Sequence, residues 1–126
     1  MKKIFAILTV FVALVAGAAL IPNQVIGDTS YVNARVISIQ PATLYAVTGY
    51  NNTGSNIWII VCETNAVPAS GNGKLGPFLV SPNQFYSIDL SAYGATLNGI
   101  TVVGSTATNT IALCGTNITI QGIIQR

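Results

Sequence analysis

The side chains that most often carry out acid–base or nucleophilic chemistry are scarce in this chain. It contains no histidine, which removes the commonest general base, the usual serine triad and most zinc sites. The only carboxylates are those of Asp28, Glu63 and Asp89. A glycosidase-type pair needs two carboxylates that face one cleft, and nothing in the sequence brings Glu63 and Asp89 together. The sequence therefore predicts a protein that is not an enzyme and uses no cofactor or metal.

Two further groups of residues have ordinary structural interpretations. The segment 71–74, GNGK, lacks the full spacing of a phosphate-binding loop and no helix is predicted after it. Cys62 and Cys114 are the only cysteines. They leave two alternatives open, a disulfide if the domain is exported or two buried free thiols in strands. Without further ligands, two cysteines are too few for a structural zinc site.

The charge of the chain is low and its distribution excludes one class of partner. The net charge of +2 comes from Lys2 and Lys3, since the remainder has three basic and three acidic residues. Nucleic-acid binding needs clustered lysine and arginine that displace phosphate counterions. The sequence therefore predicts no nucleic-acid partner. A near-neutral surface with many Asn, Thr and Ser residues favours a packed assembly, and we expect a homo-oligomer.

The N-terminal segment, residues 1–21, is predicted to be a signal peptide or a membrane anchor. Lys2 and Lys3 precede a dense apolar run from Ile4 to Ile21. The sequence 16–18, AGA, fits a small-x-small cleavage site after Ala18. The same run is just long enough to span a bilayer as a retained helix, with the lysines on the cytoplasmic side. A buried helix of the domain fits poorly because the run has no polar face.

The rest of the chain consists of short β-rich runs between turn signals. Residues 22–33 have no apolar period and are predicted to be a linker, and residues 34–126 are predicted to form the domain. The predicted strands are 35–39, 43–51, 56–63, 78–80, 84–90, 100–103, 110–114 and 117–124. The pattern predicts an all-β fold, a single antiparallel β-sandwich of about eight strands behind an N-terminal hydrophobic helix.

The predicted core collects apolar residues from these runs. The segment 56–63, NIWIIVCE, is apolar on both faces, which is typical of a central strand. Tyr86, Ile88 and Leu90 are expected to share one face. Trp58 has a second interpretation as a ligand platform, but its apolar strand favours the core. The core positions predicted are Ile37, Leu44, Val47, Trp58, Ile60, Phe85, Ile88, Val102 and Ile120.

Several motifs resemble those of a known group of proteins. The stretch 41–55, PATLYAVTGYNNTGS, is followed by 80–90, VSPNQFYSIDL, then by Tyr93-Gly94 and by 98–106, NGITVVGST. In order and spacing, across residues 34–120, these resemble strand and turn motifs of small tailed-phage and prophage structural proteins. The resemblance implies a virion-associated β-sandwich of the head-decoration, neck or fibre-associated type, and it implies no catalytic residues. The hydrophobic N-terminus departs from that group, whose members usually carry no signal.

The first functional hypothesis is a non-enzymatic structural protein of a phage virion. It is expected to self-associate and to dock on capsid or other virion proteins, with membrane contact through Ile4 to Ile21. The alternative is a secreted or cell-surface adhesion module of a bacterium. In that case the loops 64–77 and 91–98 would bind a glycan or a protein.

Overall fold

The computed structural model describes residues 23–91 and 96–126. The described chain contains β-strands and no α-helix, which confirms the predicted all-β class. No helix in these two stretches is long and apolar enough to cross a membrane. The predicted signal peptide or anchor, residues 1–21, lies outside the described residues. The strands are β1 Gln24–Ile26, β2 Ala34–Ser38, β3 Ala42–Asn51, β4 Ile57–Cys62, β5 Leu75–Val80, β6 Gln84–Asp89, β7 Thr96–Leu97, β8 Ile100–Ser105 and β9 Gln121–Gln125.

The strands form two antiparallel sheets. Sheet A has the order β1-β9-β3-β6, and β7 pairs with the first residues of β3 on the same side as β6. Sheet B has the order β2-β8-β4-β5. The segment predicted as a central strand is β4, which lies between β8 and β5. A central position suits this segment because its side chains are apolar on both faces.

The main core lies between the two sheets. Strand alternation directs every second side chain inward, and the inward residues of both sheets join one apolar cluster. Val47 of β3 and Ile124 of β9 meet Ile59 of β4 and Val102 of β8 there, all four fully buried. Burying one such side chain contributes about 1.5–3 kcal/mol. This shared core therefore fixes the two sheets against each other.

A smaller apolar cluster covers the outer face of sheet B. Ile60, Cys62 and Val103 point away from the main core and pack with Ile111. The segment 106–114 is held over them by backbone hydrogen bonds, including Ile111 N–H to Gly71 C=O at 2.8 Å and Cys114 N–H to Gly104 C=O at 2.9 Å. Sheet B is therefore apolar on both faces, and a chain segment partly covers the second face.

Several predicted segments differ from the structure. β5 begins at Leu75, inside the predicted loop 64–77, and β7 lies inside the predicted loop 91–98. The predicted strand 117–124 forms a regular ladder only from Gln121.

Two further differences concern whole predicted segments. The predicted linker 22–33 contains β1, which pairs with β9 through Val25 and Ile123. Three residues are too short a run to show a strand period in the sequence. The predicted strand 110–114 makes only an isolated bridge between Leu113 and Ser105. Its apolar residues pack on sheet B as a covering segment, and covering needs no ladder of hydrogen bonds.

The structure places the nine predicted core residues in four kinds of position. The main core holds Ile37, Leu44, Val47, Val102 and Ile120, and the half-buried Ile88 packs against it. Ile60 is buried, but it belongs to the cluster on the outer face of sheet B. Trp58 is half-buried and belongs to neither cluster. Phe85 is 85% exposed, so its predicted core position is wrong.

The physical reason for the error at Phe85 is the two-residue period of a strand. Phe85 and Ile88 lie an odd number of residues apart in β6, so they point to opposite faces. Ile88 points inward with Tyr86, as their packing against the main core shows. Phe85 therefore points out of sheet A. The same alternation in β4 places Trp58 and Ile60 outward, because Ile57, Ile59 and Val61 face the core.

Candidate functional site

The charged side chains stabilise local structure in separate parts of the molecule. Arg35 Nη2 donates a hydrogen bond to Asp28 Oδ1 at 2.9 Å. Glu63 accepts from Asn98 N–H at 3.1 Å and lies 3.6 Å from Lys74 Nζ. Asp89 accepts from the backbone N–H and the hydroxyl of Ser91. Each carboxylate thus has its own local partners, and the structure does not bring Glu63 and Asp89 into one pair.

Two of these carboxylates are held in their ionised form by turn contacts. Hydrogen bonds from the Ser30 hydroxyl and N–H, and then the charge of Arg35, lower the pKa of Asp28. The equivalent bonds from Ser91 lower the pKa of Asp89. A general acid or base at neutral pH needs a carboxylate pKa shifted in the opposite direction. Within residues 23–91 and 96–126, no group of three or more acidic, histidine or cysteine side chains is placed to hold a metal.

The two cysteines carry free, buried thiols. Cys62 belongs to the cluster on the outer face of sheet B, whereas Cys114 belongs to the main core. A disulfide needs Cβ atoms about 3.8 Å apart, and these two side chains lie on opposite sides of the sheet. The sequence left open a disulfide or two buried free thiols, and the structure has the free thiols. Burial raises the pKa of both thiols, which keeps them protonated and unreactive at neutral pH.

A small cavity lies on the outer face of sheet B. Its volume is about 130 Å³, and it is lined by residues 71–73, 76–77 and 108–110 and by Ile60. The lining contains no charged and no aromatic side chain. Ligand pockets for drug-sized molecules are usually larger, at about 300–1,000 Å³. The cavity therefore fits only a small neutral group that forms hydrogen bonds with amide, hydroxyl or backbone atoms.

The outer face of sheet A carries an aromatic pair, the exposed Phe85 and the half-buried Tyr50. Tyr50 of β3 is directly opposite Phe85 of β6, with ring centroids 4.7 Å apart and the rings tilted by 53°. Thr48 and Ser87 form the next outward row. Aromatic side chains are enriched at protein interfaces relative to the rest of the surface. This outer face, together with the free edge of β6, is the candidate functional site.

Strand β6 also presents a row of backbone groups at the edge of sheet A. Tyr50 N–H donates to Thr119 Oγ1, and Tyr50 C=O accepts from Thr119 N–H, just before β9 begins. The backbone groups of even-numbered residues in this part of β3 therefore point to the side on which β9 lies. Odd-numbered residues of β3 consequently face β6, as the bond from Leu90 N–H to Tyr45 C=O shows. By the same alternation, the N–H and C=O groups of Phe85, Ser87 and Asp89 point away from β3. No described strand pairs with that side of β6.

The other three sheet edges carry features that hinder pairing with another chain. β1 has only three residues. β2 has a bulge between Val36 and Ser38 and carries Arg35. β5 contains Pro77, which has no N–H, and its register is irregular opposite β4. β6 has no proline, no lysine or arginine and no register shift along its pairing with β3.

Sequence reasoning did not identify the candidate site because it placed Phe85 in the core. The signal that identifies it is the pairing of Gly49 with Tyr86. Tyr86 crosses over Gly49, and its hydroxyl donates to Thr119 C=O at 2.7 Å. This contact sets the inward face of β6 and therefore sends Phe85 outward. No family model, no curated protein and no solved structure matches the chain.

Proposed function

We propose that this chain is a non-enzymatic structural protein of a phage virion that acts by docking through the outer face and edge of sheet A. The observation that carries the proposal is the exposure of Phe85 beside Tyr50, on a face that no described segment covers. Enzyme chemistry has no comparable support, since each carboxylate is engaged locally and both thiols are buried.

The sequence motifs that resemble phage and prophage structural proteins supply the rest of the proposal. They fall on β3, on the turn and strand around β6, and on β8. These are the elements that form the candidate site and the core behind it. The partners proposed are capsid or other virion proteins and further copies of this chain. The apolar run from Ile4 to Ile21 would bring the domain to a membrane, either as an anchor or during export.

Mass spectrometry of purified particles tests this proposal. The chain is expected among the virion proteins, in many copies per particle and at a constant ratio to the major capsid protein. Detection of the chain's peptides in infected cells, but not in purified particles, would contradict the proposal.

The cavity on sheet B supports a second candidate function, a secreted or cell-surface adhesion module. It is bordered by the loop 64–77 that this function assigns to binding, and its lining of neutral polar groups suits the hydroxyl groups of a glycan. This candidate predicts a mature protein that begins near Ala19 in the medium or on the cell surface. N-terminal sequencing of the native protein separates the two candidates, and binding to a glycan array that is lost in Asn72→Ala supports the second.

A further inference from the structure

We propose that the edge of β6 pairs with the same edge of a second copy of this chain, with the two-fold axis at Ser87. This inference rests on the proposed docking role. It names a second copy of the chain as the docking partner and gives the register in which the two β6 strands pair. It joins two observations, the regular β6 edge and the position of its one charged residue, Asp89, at the end of the strand.

The register follows from the direction of the backbone groups. Phe85, Ser87 and Asp89 direct their N–H and C=O groups outward at even spacing. An antiparallel partner with Ser87 opposite Ser87 also puts Phe85 opposite the partner's Asp89. Every outward backbone group of the strand then finds a partner, because such pairs exchange both of their bonds. An axis at Tyr86 would leave Asp89 outside the paired strand, since it would lie opposite Asn83 in the turn.

The choice of a second copy follows from charge and symmetry. Asp89 is the only charged residue in β6. In this register the two Asp89 residues lie at opposite ends of the interface, about 14 Å apart along the strands. That exceeds the Debye length of about 8 Å at physiological salt, so their repulsion is screened. A two-fold interface uses one patch twice, and a strand whose single charge lies at one end can pair antiparallel with a second copy without bringing the two charges together.

The pairing joins two copies of sheet A into one continuous sheet. A two-fold axis perpendicular to the sheet keeps both outer faces on the same side. The Tyr50–Phe85 pairs of the two copies then lie on one surface, with the serines between them. A single strand edge buries less than the roughly 1,200 Å² of a standard interface. We therefore expect weak pairing in dilute solution, reinforced where many copies are held together.

Cysteine cross-linking of the full chain in mild detergent tests the register. In a Ser87→Cys chain the two introduced thiols face each other, with Cα atoms about 5.5 Å apart, which suits a disulfide. The matched control is Thr48→Cys, one strand inward on the same face and opposite Ser87. Two such residues would be separated by three strand spacings, about 15 Å. We expect about tenfold more covalent dimer from Ser87→Cys. Equal amounts from the two variants would overturn the proposal.

A mixture of two variants fixes the axis. Phe85→Cys and Asp89→Cys chains with different tags should cross-link when mixed, and neither should cross-link alone. Cross-linking of a Phe85→Cys and Ser87→Cys mixture, with no dimer from Ser87→Cys alone, would place the axis at Tyr86 and overturn the register.

A backbone variant tests the pairing without a thiol. Ser87→Pro removes an N–H that points away from β3, so the fold keeps all its hydrogen bonds. Sedimentation at high concentration should show association of wild type and Ser87→Thr but not of Ser87→Pro. Thermal unfolding of the proline variant shows whether it is folded, and association of a folded Ser87→Pro chain would overturn the proposal. Because these tests use no particles, they fail or succeed independently of the virion assignment.

Discussion

Asn51 is a fully buried polar residue that joins the turns at one end of the two sheets. Its Nδ2 donates to the backbone C=O groups of Ser55 and Ser81, each at 3.0 Å. Its Oδ1 accepts from the N–H and the hydroxyl of Thr53. Ser81 follows β5 in sheet B, whereas Asn51 ends β3 in sheet A. One amide group therefore connects the two sheets and satisfies backbone groups of both turns.

Replacing Asn51 by alanine should be strongly destabilising. The change leaves several buried backbone groups without a partner and creates a small cavity, so we expect a loss of about 3 kcal/mol in the free energy of unfolding. The matched control is Asn52→Ala, because the Asn52 side chain is exposed. Urea unfolding, followed by the fluorescence of Trp58, measures both variants. Equal stability of the two would contradict this role of Asn51.

The burial of Tyr86 predicts that the free energy of unfolding falls at alkaline pH. Burial, and secondarily the neighbouring Cys114, raise its pKa above the ordinary value of 10.0. Above that pH the unfolded chain loses a proton that the folded chain keeps, so the free energy of unfolding falls as pH rises. Tyr86→Phe should lower stability at pH 7 by about 1 kcal/mol, through the lost bond to Thr119. Urea unfolding from pH 7 to 11 should show a shallower decline for this variant, and an unchanged slope would contradict the assignment.

At the scale of the elements, strand positions could be predicted from β-rich runs and turn residues. The run 43–51 corresponds to β3 Ala42–Asn51, and 84–90 corresponds to β6 Gln84–Asp89. Which side chains of a strand point to the core could be predicted only where the other face of the strand is polar. In β4 both faces are apolar, so the sequence did not show that Ile60 belongs to the outer cluster. The candidate site was not predicted for a related reason. Phe85 was assigned to the core because it is apolar, although the alternation of β6 places it on the face opposite Ile88.

The contact of β3 with β6 depends on the absence of a side chain at Gly49. A Cβ atom there would lie 1.9 Å from Thr119 C=O and 2.6 Å from the Tyr86 hydroxyl. Gly49→Ala should therefore displace Tyr86 or the backbone at Thr119, and cost about 3 kcal/mol in the free energy of unfolding. Gly54→Ala is the matched control, because a Cβ at Gly54 meets nothing within 4 Å. The thermal unfolding midpoints of the two variants test this. Similar midpoints would show that β3 and β6 accommodate a Cβ atom at Gly49, and would contradict the prediction.

For the whole molecule, the two sheets have different outer faces. The outer face of sheet B carries its own apolar cluster and a covering segment, with Leu79 exposed at its β5 edge. The outer face of sheet A instead carries the exposed Phe85 beside the half-buried Tyr50. The described residues have three positive and three negative side chains, so the domain has no net charge to keep copies apart. This combination suits a component that is packed beside copies of itself. The proposed role follows from this asymmetry together with the phage-like motifs.

The incorporation of variants into particles tests the docking role most directly. Phe85→Ser removes an exposed ring from sheet A, and Leu79→Ser removes an exposed apolar side chain of β5 in sheet B. Neither residue belongs to a core cluster, so both variants should fold. Quantitative mass spectrometry of purified particles should show about tenfold fewer copies of Phe85→Ser than of wild type, as expected for an interface anchor, and an unchanged number of Leu79→Ser. Equal incorporation of Phe85→Ser and wild type, or the absence of the wild-type chain from particles, would contradict the account.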